Sequence, residues 1–161
     1  RMLKKYHPLW VNVQFNHPKE LTAEAAEACA RLSDAGIPLG NQSVLLRGIN
    51  DDPATMKTLV QGLVQMRVRP YYLYQCQILS GTAHFRTPVE TGIEIIRNLR
   101  GYTTGFAVPR YVLDTPYGKV PMAPQYMVNR DDDAVYLQNW EGKVWREPNP
   151  RDPNAPEYGV A

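Results

Sequence analysis

The sequence has 161 residues, of which 43% are hydrophobic and 21% charged, with a formal net charge of +2. That length suits one domain with a buried core, since domains usually hold ~100–200 residues. Charges of both signs are interspersed without a basic stripe, and no apolar run approaches the ~20 residues that span a bilayer, so neither a nucleic-acid nor a membrane partner is expected.

Cys29 and Cys76 show no C-x-x-C spacing and no histidine cluster, and read as buried free thiols of a reducing cytoplasm. The chain opens Arg1-Met2-Leu3-Lys4-Lys5-Tyr6 with no signal peptide and runs almost directly into a strand, the pattern expected of a fragment of a longer protein.

Residues 9–15 (LWVNVQF) are β-rich and predict a strand whose end offers Gln14, Asn16 and His17 before Pro18 stops pairing. Thr22 and Glu24 start a helix over 23–35, with Ala25, Ala28, Cys29 and Leu32 on one face and Gly36 at its end. Residues 37–46 (IPLGNQSVLL) predict a second strand. Asp52-Pro53, an N-cap followed by proline at the first helical position, opens a helix with Met56, Leu59, Val60, Leu63 and Met66 as its apolar stripe. A third strand follows at 69–76 (RPYYLYQC). Thr87-Pro88, with Glu90 at the capping-box position, starts a third helix through Ile93, Ile95, Ile96 and Leu99 to Gly101. Residues 108–114 (VPRYVLD) predict the fourth strand.

This alternation is the mark of parallel βαβ units in an α/β fold, and its spacing fits part of a barrel over residues 1–114. Right-handed crossovers put the strand ends at one rim, where such folds gather their ligands. Residues 115–147 read as a lysine-bearing loop followed by a small β meander, with β segments at 125–128, 134–138 and 144–147. The proline-rich residues 148–161 read as an extended or disordered tail.

The rim collects Gln14, Asn16, His17, Asn41, Gln42, Arg47, Tyr74, Gln75, Gln77 and Asp114. Any one of these can be a mere loop cap, but a run of them on successive strand ends is what a substrate site requires. His17 is either an acid–base group or a turn stabiliser, and Arg86 either an anion contact or a backbone donor. The run Tyr71, Tyr72 and Tyr74 is packing, unless one ring faces inward to stack on a flat cofactor. Lys119 follows the fourth strand in Asp114-Thr115-Pro116-Tyr117-Gly118-Lys119. A loop lysine is ordinarily solvated, yet a desolvated amine at a barrel rim is able to form a Schiff base with pyridoxal phosphate. Asp114 would bind a substrate ammonium, orient that lysine, or cap the turn.

The segments FNHPKELT (15–22), AGIPLGNQSVLLRGIND (35–51), MRVRPYYLYQC (66–76), AHFRTPVETGIEIIRNLRG (83–101) and FAVPRYVLDTPYGKVP (106–121) resemble the lysine 2,3-aminomutase family, over about residues 7–145. The resemblance implies the carboxyl-terminal part of an incomplete (β/α) radical S-adenosylmethionine barrel with a small β-meander extension. It implies a cytoplasmic isomerase that uses S-adenosylmethionine, pyridoxal phosphate and a four-iron four-sulfur cluster. A 5′-deoxyadenosyl radical takes hydrogen from the β-carbon of an amino acid, and the nitrogen migrates from the α- to the β-carbon. The cluster's C-x-x-x-C-x-x-C ligands do not occur in this sequence, so the chain alone is expected to be inactive, and the full-length protein is expected to be a homo-oligomer.

On the same resemblance, Lys119 matches the lysine that binds pyridoxal phosphate, Asp114 an aspartate that binds the substrate's side-chain ammonium, and Gln42 a contact to S-adenosylmethionine. Tyr74 matches, less closely, a tyrosine bordering the cofactors. Three departures stand out. The loop before Lys119 is short, Gln77 replaces a second aspartate for the substrate ammonium, and Gln14 replaces a histidine near S-adenosylmethionine. L-Lysine is the expected small-molecule substrate. Another amino acid, or a radical S-adenosylmethionine reaction without pyridoxal phosphate, is the alternative.

Overall fold

A computed structural model describes residues 2–151. The main sheet holds β1 (Val11–Val13), β2 (Leu39–Leu45), β3 (Val68–Gln75), β4 (Arg110–Thr115) and β5 (Gly118–Pro121), neighbours in that order. β1 to β4 run parallel, linked by α1 (Ala23–Asp34), α2 (Pro53–Gln65) and α3 (Val89–Leu99), and β5 returns antiparallel beside β4. A separate antiparallel sheet orders β6 (Met127–Arg130), β7 (Ala134–Gln138) and β8 (Val144–Pro148). The chain is therefore an α/β unit with a mixed sheet.

The first two helices start where their local signals predict. Thr22 Oγ1 accepts the Ala25 N–H at 3.2 Å, and Asp52 Oδ1 accepts that of Thr55 at 2.8 Å, with Pro53 in the first turn. α3 starts differently from the expected Thr87 cap. Pro88 holds the cap position without a side-chain bond, and the Val89 N–H donates instead to Asn149 Oδ1 at 2.8 Å. Thr87 is buried, its carbonyl accepts from Gln75 Nε2 at 2.7 Å, and its own hydroxyl has no partner. The helix is thus capped from 60 residues away.

β1 covers only part of the strand expected at 9–15, because side chains replace its ladder. Phe15 N donates to Asn41 Oδ1 at 2.7 Å, and Phe15 O accepts from Ser43 Oγ at 2.7 Å and Asn41 Nδ2 at 3.0 Å. Asn16 Oδ1 then takes the Val44 N–H at 2.8 Å. β4 begins after the 3-10 turn Gly105–Ala107 and after Pro109, which has no N–H to pair.

One apolar cluster joins Leu39 and Leu45 of β2, Met56, Leu59 and Leu63 of α2, Leu73 of β3, Ile95 and Leu99 of α3, and Leu113 of β4. Val135 and Leu137 of β7 belong to the same cluster, which is what seats the small sheet on the main one. Each fully buried side chain of this kind contributes ~1.5–3 kcal/mol. Gly92 brings α3 down onto β4: a Cβ there would lie 2.2 Å from Tyr111 Cζ. Cys29 and Cys76 are both buried and free.

Of the tail expected from Pro148, that residue ends β8, Asn149 caps α3, and 152–161 lie outside the described residues. Among the described residues no helix is long and apolar enough to cross a membrane.

Candidate active site

A cleft of about 510 Å³ opens at the carboxyl ends of the parallel strands. Period-two alternation aims its walls: on β2, Gln42 and Val44 alternate with buried Ser43 and Leu45, and on β3 half-buried Tyr74 lies between buried Leu73 and Gln75. Gln14 and Asn16 come from the segment after β1, Gln77 from just beyond β3, and Asp114 from β4. Lys119 completes the set.

Lys119 is not on a free loop. Thr115 and Gly118 pair across a tight hairpin, and Asp114 and Lys119 are direct cross-strand partners of β4 and β5. Thr115 Oγ1 donates to Gly118 O at 2.8 Å and accepts the Tyr117 N–H at 3.1 Å. Gly118 has φ +99°, a backbone that side chains other than glycine's rarely permit. The short spacing from Asp114 to Lys119 is thus the length that puts their side chains on one face of a two-stranded ribbon.

Asp114 lies between two partners. Gln77 Nε2 donates to its Oδ2 at 3.1 Å, and Lys119 Nζ stands 3.9 Å from its Oδ1. With side chains 46% and 36% exposed, the Lys119–Asp114 pair contributes ~0–1 kcal/mol to stability. Lys119 Nζ also lies 5.8 Å from the centroid of the Tyr74 ring. Burial, followed by the Asp114 charge, raises the Tyr74 phenol above its ordinary pKa and keeps it protonated.

Gln42, Tyr74, Gln77, Asp114 and Lys119 all line this cleft, and so do Gln14, Asn16 and Gln75. Of the other expected rim groups, His17 and Asn41 have structural partners. Lys19 N donates to His17 Nδ1 at 3.1 Å, making His17 the cap of a 3-10 turn. Asn41 ties β1 to β2, and exposed Arg47 lies outside the cleft wall. Tyr71 and Tyr72 stack with each other, 3.9 Å between centroids, away from the cleft lining.

Arg86 is not an anion contact. Its guanidinium is buried, pairs with Glu147 at 2.6 Å and donates to Pro148 O at 2.7 Å and Cys76 O at 3.4 Å.

Thr82 lines the cleft without any signal in its local sequence. It donates to Gln77 O at 3.0 Å and so shapes the turn that carries Gln77. Cys76 is also in the wall, its thiol pushed up by burial more than Arg86 lowers it.

The lining fits pyridoxal phosphate in kind: a primary amine, an aromatic face and a volume within the ~300–1,000 Å³ usual for cofactor sites. It does not fit an iron–sulfur cluster, since the described residues bring no three His, Cys, Asp or Glu side chains together.

A family model described as lysine-2,3-aminomutase matches residues 96–158. The L-lysine 2,3-aminomutase of Fusobacterium nucleatum is 59% identical over 145 residues, which are 89% of this chain and 34% of that protein. The chain belongs to the lysine 2,3-aminomutase family. Within that family, the L-lysine 2,3-aminomutase of Methanococcus maripaludis is 56% identical over 153 residues, 94% of this chain and 35% of its own. The glutamate 2,3-aminomutase of Clostridioides difficile is 53% identical over 145 residues, 89% of this chain and 34% of its own. This chain spans about a third of the length of the curated relatives it matches.

Proposed function

We propose that this chain is the cofactor-lysine part of an isomerase that moves the α-amino group of L-lysine to the β-carbon. The observation that carries the reading is that Lys119, Asp114, Gln77, Gln42 and Tyr74 line one cleft. In this reading the βα unit is the carboxyl-terminal part of an incomplete radical S-adenosylmethionine barrel, and the sequential order of four parallel strands supports it. The whole protein is a homo-oligomer that works in the cytoplasm.

Pyridoxal phosphate, when bound, supplies an aldehyde that captures an amine and a conjugated ring that spreads developing charge or spin. Lys119 would hold it and Tyr74, whose phenol keeps its proton, would offer it a flat, neutral face. Gln42 would contact S-adenosylmethionine. The described residues offer the iron–sulfur cluster no site.

Asp114 reads the substrate side chain. Gln77 holds its Oδ2, and Oδ1, which faces Lys119 Nζ at 3.9 Å, would accept from a terminal ammonium once Lys119 is engaged by the cofactor. A glutamate side chain would meet that carboxylate with like charge, so among its relatives' substrates lysine suits this cleft better. Gln77 is neutral, so the cleft attracts the ammonium with one carboxylate. That makes a second reading, an aminomutase for another amino acid, the closest competitor.

The deciding experiment reduces the intact protein with borohydride in the presence of pyridoxal phosphate and maps the modified lysine. Labelling at Lys119 is expected. A label at another lysine rejects the assignment of Lys119, and no label leaves a radical enzyme that does not use pyridoxal phosphate.

A further inference from the structure

Besides the apolar contacts of Val135 and Leu137, the small sheet makes two polar, directional contacts with elements that support the cleft. At the first, Asn139 in the β7–β8 turn donates from Nδ2 to Tyr117 O at 3.1 Å, at the tip of the hairpin that carries Lys119. Asn139 is 8% exposed. Its Oδ1 accepts the N–H groups of Glu141 and Lys143, each at 2.9 Å, so the side chain cannot swing away without opening its own turn. Around the same tip, Lys143 Nζ lies 5.7 Å from the Tyr117 ring centroid, and Trp145 packs edge-on at 6.3 Å.

At the second, Glu147 of β8 grips Arg86, whose Nε donates to Cys76 O. Cys76 is the neighbour of Gln77, which in turn hydrogen-bonds Asp114.

We propose that the three-stranded sheet is a positioning frame. Asn139 fixes the hairpin that directs Lys119, and Glu147, through Arg86, fixes the strand end that directs Gln77 toward Asp114. β5 is the edge strand of the main sheet, and beyond the β4–β5 ladder the side-chain hydrogen bonds at the hairpin tip come from Thr115 and Asn139. Asn139 and Glu147 are positioning residues; neither lines the cleft. The proposal rests on Lys119 being the lysine that pyridoxal phosphate modifies.

The test is Asn139→Asp in the intact protein. Aspartate keeps the acceptor for the Glu141 and Lys143 N–H groups and loses the donor to Tyr117 O, setting a carboxylate against that carbonyl. Three measurements are taken: amide hydrogen exchange across residues 115–120, the visible absorbance that develops at Lys119 on titration with pyridoxal phosphate, and the melting temperature. Exchange in the hairpin is expected to rise about tenfold and the affinity for pyridoxal phosphate to fall about tenfold, the scale of one directional hydrogen bond. Exchange in β6–β8 and the melting temperature stay near wild type, which a merely structural role would not allow. Unchanged hairpin exchange and unchanged affinity overturn the proposal. So does a loosening spread evenly over β6–β8.

If Asn139→Asp does not fold, Trp145→Leu removes the ring against Tyr117 and is judged by the same comparison. Wild-type protein that takes no label at Lys119 rejects the proposed function instead, and the exchange comparison still decides whether the brace exists.

Discussion

Replacing Glu147 with alanine leaves the Arg86 guanidinium buried without its counter-charge. The pair is 2.6 Å apart with side chains 10% and 3% exposed, so water cannot take the carboxylate's place. Removing one member of such a pair costs ~3–5 kcal/mol, and losing the acceptor for Trp145 Nε1, now 3.0 Å from Glu147 Oε2, adds about 1 kcal/mol. A loss of about 5 kcal/mol corresponds to a fall of roughly 10–20 °C in melting temperature for a domain of this size.

The double variant Arg86→Met/Glu147→Leu removes both charges and keeps the volume, so it should recover most of that loss. It leaves the carbonyls of Cys76 and Pro148 without their donor and the Trp145 Nε1–H without its acceptor. Urea denaturation at neutral pH, read as midpoint and slope, measures both variants. A single variant that costs less than about 1 kcal/mol, or a double variant no more stable than the single, refutes the account of this pair.

The pH dependence has a definite sign. Burial raises the Glu147 carboxyl above its ordinary range by more than Trp145 and Arg86 lower it. A raised native pKa means that the folded state holds the proton more tightly than the unfolded chain. This group's contribution is therefore complete below the usual glutamate pKa and declines as pH rises through the raised value. Glu147→Gln should flatten that part of the stability curve.

Three further outcomes follow from the same contacts. Asp114→Asn in the intact enzyme should lower kcat/KM for lysine about 10–100-fold, the scale of a charge-assisted hydrogen bond, and leave a neutral amino acid less affected. Equal losses for both would show that Asp114 does not read side-chain charge. Asn149→Ala should cost about 1 kcal/mol by uncapping α3 at Val89, measured as faster amide exchange in the first turn of that helix; unchanged exchange counts against the remote cap. Gly92→Ala should destabilise by ~1–3 kcal/mol, because a Cβ would lie 2.2 Å from the buried Tyr111 ring, and a melting temperature equal to wild type would show that the contact relaxes freely.

Much of the architecture follows from interactions a few residues long. Thr22 and Asp52 each cap a helix through the backbone three residues on, and β2 and β3 alternate buried and half-buried positions at the period of a strand. Those signals carry the α/β alternation and the prospect of polar groups at one rim. The family resemblance added roles for Lys119, Asp114 and Gln42, which the residue types alone left open.

The sequence by itself determined the three helices and the four parallel strands, because caps and hydrophobic periods act within one or two turns of chain. Only the tertiary structure decided that Lys119 belongs to a strand facing Asp114, that α3 is capped by Asn149, and that Arg86 is spent on Glu147. The last two contacts join residues 60 and 61 positions apart. Their formation depends on loop closure and on the shared apolar core that seats β7 against the main sheet. No local pattern encodes which polar groups that packing brings together.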